Sequence, residues 1–222
     1  MPSRFGEGLR DTCAVLGMFI PVLIITSVVA WFFNALLALP IWISSLAAQL
    51  TFFCASLVLT WALRKGWRWL GLFPSTRGLA KASLASISVA TVIVSIISLM
   101  PTEGQGQPEL VEDPLLLAIL TLLIAPLCEE TFFRGLLQGY MMDRGHRKLS
   151  IIWPAILFSV MHVIPFGSAG LALLSTILVG ALFLSLIAGY FRADTGSLSP
   201  ALLAHFLFNL VGYIAMLISP GG

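Results

Sequence analysis

Long unbroken apolar runs, rather than period-two alternation or half-apolar stripes, dominate this chain. A hydrocarbon core about 30 Å thick is crossed by about 20 helical residues. On that measure the pattern predicts seven spans, at approximately 13–38, 43–63, 79–100, 114–141, 151–165, 168–191 and 200–219, the fifth being the shortest. Turn formers punctuate them: LPIW from Leu39, EGQGQPE from Glu103, PFGS from Pro165 and DTGSLSP from Asp194. No repeat or low-complexity stretch is visible. The expected fold class is all-α, a polytopic transmembrane helix bundle forming one integral membrane domain over residues 1–222.

Composition agrees with that pattern. The chain is 59% hydrophobic and 10% charged, with mean hydropathy +1.01, against roughly 25% charged residues in an ordinary soluble domain. A net charge of +2 without a Lys/Arg run gives no reason to expect nucleic acid as a partner. The partner that composition implies is the lipid bilayer. Cys13, Cys54 and Cys128 are odd in number, lie in apolar runs and lack metal-ligand spacing, so they are expected to be small buried hydrophobes. The apolar run after Arg4 and Arg10 is too long for a cleaved signal and reads as an uncleaved first span.

Basic residues mark the cytoplasmic side of a membrane protein. Arg4 and Arg10 precede the first predicted span. Arg64, Lys65, Arg68, Arg77 and Lys81 surround the second connection, Arg144, Arg147 and Lys148 follow the fourth span, and Arg192 follows the sixth. The alternate loops hold no Lys or Arg, and one of them gathers Glu103, Glu109, Glu112 and Asp113. The amino terminus is therefore expected on the cytoplasmic side and the carboxyl terminus outside. Segment 64–81 mixes Trp67, Trp69 and Phe73 with cations, as an interfacial anchor on the cytoplasmic leaflet does.

Few strongly polar side chains fall inside the spans: Glu129, Glu130, Arg134, His162, His205 and Asn209, with Asn34 and Gln49 elsewhere. Charge at bilayer depth is costly, so such residues are functional candidates. At about 1.5 Å of rise per residue, Glu129 and His162 come roughly 18 Å from the basic ends of their helices, Asn209 roughly 14 Å and His205 roughly 8 Å. Three helices thus bring polar groups toward one layer, expected in the inner half of the membrane. Glu130 and Arg134 are spaced i,i+4 with the acid first, the favourable order for an ion pair on one face. Glu129 has Phe132 and Phe133 at the neighbouring positions instead. Glu130 and Arg134 therefore read as scaffold, and Glu129 as a candidate general base. Phe158 and His162 lie one helical turn apart, as do His205 and Asn209, and two donors on one face are what an oxyanion needs.

EETFFR (Glu129 to Arg134), FSVMH (Phe158 to His162) and HFLFN (His205 to Asn209), in this order and each on a predicted span, resemble the EExxxR, FxxxH and HxxxN motifs of the CPBP or Abi family. This family includes the type II CAAX prenyl endopeptidases and bacteriocin-processing enzymes. The resemblance covers about residues 114–213. It implies a CAAX-protease-like bundle acting as a glutamic intramembrane endopeptidase. Glu129 would activate the attacking water, His162 would bind and orient it, and His205 with Asn209 would stabilise the oxyanion. Glu130, Arg134 and Phe158 would support them. It implies no cofactor, a membrane-associated or lipidated protein or peptide as substrate, and a prokaryotic plasma membrane as location, with cleavage expected near the cytoplasmic surface.

Other readings stay open on the residues alone. One glutamate and two histidines could ligate zinc, although HExxH is absent. Buried Glu, His and Arg also suit a proton-coupled transporter, although no paired halves are visible. A non-catalytic membrane scaffold or immunity-type partner could keep the same polar layer.

Overall fold

The computed structural model describes residues 4–100 and 113–218. Its secondary structure is 85% helix, and the described residues form no strand. Among the described residues, seven helices are long and apolar enough to cross a membrane: α1 (Gly6–Leu36), α2 (Ile41–Ala62), α3 (Leu79–Ser98), α4 (Pro114–Asp143), α5 (Arg147–Phe166), α6 (Leu171–Thr195) and α7 (Ser199–Ile218). The protein is an integral, multi-pass membrane protein. Many large apolar side chains face outward, among them Trp61, Leu84, Leu99 and Leu171. In a bilayer such a surface meets lipid rather than water.

Several helix ends depart from the sequence expectation. The first helix begins at Arg4 rather than near residue 13, so Arg10 lies on it and not before it. Backbone hydrogen bonding carries the helix past the apolar slab, and Asp11, 2% exposed, anchors it by an ion pair with Arg144 Nε at 3.1 Å and a hydrogen bond with His146 Nε2 at 3.2 Å. The fifth crossing is a full 20 residues. Arg192, expected in a loop, lies in the last turn of α6 and is 4% exposed. Cys128 is buried as expected, whereas Cys13 and Cys54 are exposed on the lipid-facing surface. An apolar environment outside the bundle suits them as well as one inside. Glu103, Glu109 and Glu112, and the turn beginning at Glu103, lie outside the described residues.

The described loop cations gather at one end, which we term the basic end. Ion pairs Lys65–Asp143 at 2.7 Å and Arg77–Asp194 at 3.3 Å tie connections together there. Segment 64–81 does more than anchor at an interface. It folds into a short turn, Trp67–Leu70, whose Leu70 is fully buried against Gly135 of α4, with Trp69 against Gly139. A Cβ at residue 135 would lie 3.1 Å from Leu70 Cδ2 and 3.2 Å from its carbonyl oxygen, so any larger residue would push the turn away by a few tenths of an ångström. Arg192 fastens the same turn by donating to the carbonyls of Trp69 at 2.8 Å, Arg134 at 3.2 Å and Gly196.

Helix α4 is central, contacted by α1, α2, α5, α6 and α7. Phe132, Phe133, Leu136, Leu137 and Met141 are fully buried, and Phe133 meets the rings of Phe19, Phe52 and Phe158. The helix is not uniformly α. Residues Ile119–Ile124 and Thr131–Leu137 are π-helical, and such turns pair N–H groups with the carbonyl five residues back and often mark functional sites. Each shift leaves a carbonyl for another element. At the first, Ala125 N–H pairs with Leu120, and Pro126 has no N–H, so the Thr121 carbonyl accepts from Asn209 Nδ2 at 2.8 Å. At the second, Gln138 N–H pairs with Phe133, and the Arg134 carbonyl accepts from Arg192.

Candidate active site

Four helices bring the polar layer together. Glu129, 6% exposed, and Glu130, fully buried, are adjacent on α4. Arg134 Nη1 lies 2.9 Å from Glu130 Oε1, which is the i,i+4 pair the spacing predicts. The guanidinium is fully buried and stands 4.6 Å from the centre of the Phe158 ring, where a cation meets the negative face of the π system.

His205 links the two carboxylates. Its Nδ1 lies 2.9 Å from Glu130 Oε1 and its Nε2 lies 3.8 Å from Glu129 Oε2. The shorter contact is a hydrogen bond in which Nδ1–H donates to the carboxylate; the longer one is too long for a direct bond. Glu129 is not left without a partner, contrary to the spacing argument. Gln49 Nε2, from α2, donates to Glu129 Oε1 at 2.7 Å. The neighbours considered on α4 alone could not reveal a partner 80 residues away on another helix.

His162 stands where the α-helical part of α5 ends, at Met161, before a short turn over Val163–Phe166. Its Nδ1 donates to the Phe158 carbonyl at 2.7 Å, which leaves Nε2 as the acceptor in the neutral ring. Phe158 is tilted by 53° against the imidazole at 4.9 Å rather than stacked on it; Phe166 is the near-parallel neighbour, at 4°. Phe158 also meets the His205 ring edge-on at 5.6 Å, so it fixes two imidazoles and the arginine together.

A cavity of about 930 Å³ is lined by Glu129, His162, His205, Asn209 and Gln49, with Asn34 farther along its wall. Its walls are residues 23–35 of α1, 41–52 of α2, 90–97 of α3, 117–129 of α4, 158–166 of α5, 177–184 of α6 and 205–216 of α7. From the polar layer it thus runs toward the end opposite the basic loops. On the basic side lie the fully buried Phe132, Phe133, Leu136, Leu137, Met141 and Leu70. The expectation of cleavage near the cytoplasmic surface concerns which end of the bundle faces the cytoplasm, and that assignment is carried as a proposal below. The packing of Leu70 beneath α4 has no signature in periodicity.

Residues 111–211 match the family described as type II CAAX prenyl endopeptidase Rce1-like. The matched stretch, less than half of the chain, is similar to the Rce1-like family. Over 104 residues the chain is also 32% identical to an uncharacterized protein of Mycoplasma capricolum subsp. capricolum, a match covering 47% of this chain and 28% of that protein. No solved structure matches. The Rce1-like stretch contains Glu129, Glu130, Arg134, Phe158, His162, His205 and Asn209. Gln49 and Asn34 come from outside it.

Gln49 is the contact that sequence reasoning missed; its only signal was a strongly polar side chain inside a span. Among the described residues, no group of three or more His, Cys, Asp or Glu side chains is placed to hold a metal ion.

Proposed function

We propose that this protein is an intramembrane endopeptidase of the CAAX-protease type that hydrolyses a peptide bond of a membrane-associated protein or peptide by glutamate-activated water. The observation that carries this reading is the pairing at Glu129: Gln49 holds Oε1, while Oε2 faces His205 Nε2 across 3.8 Å at the cavity. At that distance the two groups are not directly bonded, so each can hold a water from the cavity side.

In this mechanism Glu129 takes a proton from the water as its oxygen attacks the scissile carbonyl carbon. His162, whose Nε2 is free to accept, orients the water. The carbonyl becomes an oxyanion held by His205 and the second amide hydrogen of Asn209. To donate from Nε2, His205 must carry protons on both ring nitrogens, and Glu130 at Nδ1 is the counter-charge for that ring. As the C–N bond breaks, the proton held by Glu129 passes to the leaving amine. No step needs a metal.

The amino terminus is assigned to the cytoplasm of a prokaryotic cell, on the Lys/Arg bias, with residues 1–222 forming one membrane domain around a core at 114–213. The test is a comparison of protein termini in host membranes carrying wild type or Glu129→Ala at equal abundance. A terminus present only with wild type, and regenerated with purified components, supports proteolysis. Identical termini under conditions that require the protein would favour a scaffold or transporter.

A further inference from the structure

We propose that Gln49 reads the backbone of the substrate. While its Nε2 holds Glu129, its Oε1 accepts a peptide N–H beside the scissile bond, so proline, which has no N–H, is refused at that position. This inference deepens the proteolytic reading and rests on it; it requires no assignment of the side from which the substrate arrives.

Three observations carry it. First, the orientation of the amide is fixed. An ionised Glu129 only accepts hydrogen bonds, so the end of Gln49 that lies 2.7 Å from Glu129 Oε1 is the NH2 group, and Oε1 is the end left over. Second, this Oε1 is buried and accepts no hydrogen bond from the described residues, and its side chain lines the cavity together with Glu129 and His162. A buried acceptor without a donor is costly, so an entering group that carries an N–H gains by meeting it. Third, α2 is locked in register along α4. The ring of Phe52, a residue 4% exposed, is centred 5.2 Å from that of Phe132 and 6.0 Å from that of Phe133. The pairs Gln49–Glu129 and Phe52–Phe132 thus repeat the same three-residue step on both helices. Packed rings, rather than a loop, hold the acceptor in place.

The same geometry narrows which N–H is met. The two ends of an amide are joined through one carbon, so Oε1 stands a single amide group away from the general base. Glu129 acts on the water that attacks the scissile carbonyl, and successive residues of a peptide are about 3.8 Å apart. The N–H within reach therefore belongs to a residue one or two positions from the scissile bond. A free peptide's N–H is already bonded to water, so the exchange adds little affinity. What the contact adds is registration of the carbonyl against Glu129, an effect that appears in kcat. Because Gln49 lies outside residues 111–211, this selectivity belongs to α2 of this chain and not to the matched stretch.

The test uses full-length purified protein and a pool of proteome-derived peptides, with the new termini read by mass spectrometry. One cleaved peptide is then synthesised with each backbone N–H flanking the scissile bond replaced in turn by an ester oxygen, and the series is given to wild type and Gln49→Leu. Wild-type sites should lack proline at one fixed position, and the ester at that position should lower kcat/KM about fivefold, the loss of one neutral hydrogen bond. Gln49→Leu should cleave that ester and its parent amide equally well, at its own lower rate. Gln49→Met, of similar length, repeats the comparison if the leucine variant does not fold. An ester tolerated by wild type at every position, or a penalty that persists in the Gln49 variants, overturns the proposal. Failure of wild type to cleave any peptide counts against the proteolytic reading itself and takes this inference with it, an outcome distinct from cleavage without position dependence.

Discussion

Gln49 Nε2 on α2 lies 2.7 Å from Glu129 Oε1 on α4, joining a helix outside the Rce1-like stretch to the carboxylate within it. The contact fixes which oxygen of Glu129 faces His205. Gln49→Leu removes a hydrogen bond to a charged group, worth about 1.5 kcal/mol, and should lower kcat about tenfold with little change in KM. Steady-state cleavage of an identified substrate checks this. An unchanged kcat with a raised KM would make Gln49 a substrate contact only.

Glu130 holds both Arg134 and His205 through Oε1. Removing the cation leaves a buried carboxylate with only the imidazole, so Arg134→Leu should destabilise the protein by about 3–5 kcal/mol. Folded yield and thermal unfolding in detergent read this directly. Arg134→Lys should not rescue it, because a point charge cannot reproduce both the pair with Glu130 and the planar contact with Phe158. Wild-type stability in Arg134→Leu would remove the scaffold role.

These two contacts show where the sequence was legible. The Glu130–Arg134 pair lies within one turn of one helix, and seven apolar runs declare seven crossings, so both could be read from spacing. The Gln49–Glu129 contact depends on how α2 packs on α4, which no local pattern encodes. Arg192 looked like a loop cation because hydropathy falls near a span end, whereas its burial depends on carbonyls supplied by the Trp67–Leu70 turn and by a π shift in α4.

Asn209 has two roles that can be separated. Its amide satisfies the Thr121 carbonyl, which Pro126 cannot reach for lack of an N–H, and its second hydrogen is the proposed oxyanion donor. Asn209→Ala should lower kcat by about 100-fold, the usual cost of one such donor, and should also lower stability. Adding Pro126→Ala supplies an N–H five residues after Thr121. The double variant should regain thermal stability without regaining turnover. Recovery of both would make Asn209 structural.

Because the proposed mechanism routes every proton through Glu129 and the two histidines, prolonged treatment with a strong chelator, followed by dialysis, should leave cleavage by the purified protein unchanged. Metal analysis of the active preparation should give no stoichiometric zinc. Reversible loss of activity, restored by zinc alone, would replace glutamate-activated water with metal-activated water.

The filled basic end depends on Gly135, where an added Cβ would meet the Leu70 side chain at 3.1 Å and its carbonyl oxygen at 3.2 Å. Gly135→Ala overpacks this contact and should cost about 1–3 kcal/mol, despite alanine's better helix propensity. Leu70→Ala should destabilise through the opposite defect, a cavity beneath α4. In the double variant the new methyl gains room from the lost side chain but still faces the carbonyl. Part of the Gly135→Ala cost should therefore disappear when Leu70→Ala is present, as a double-mutant cycle of unfolding temperatures would register. Strict additivity would mean that the backbone, not the leucine side chain, sets how closely the turn approaches α4.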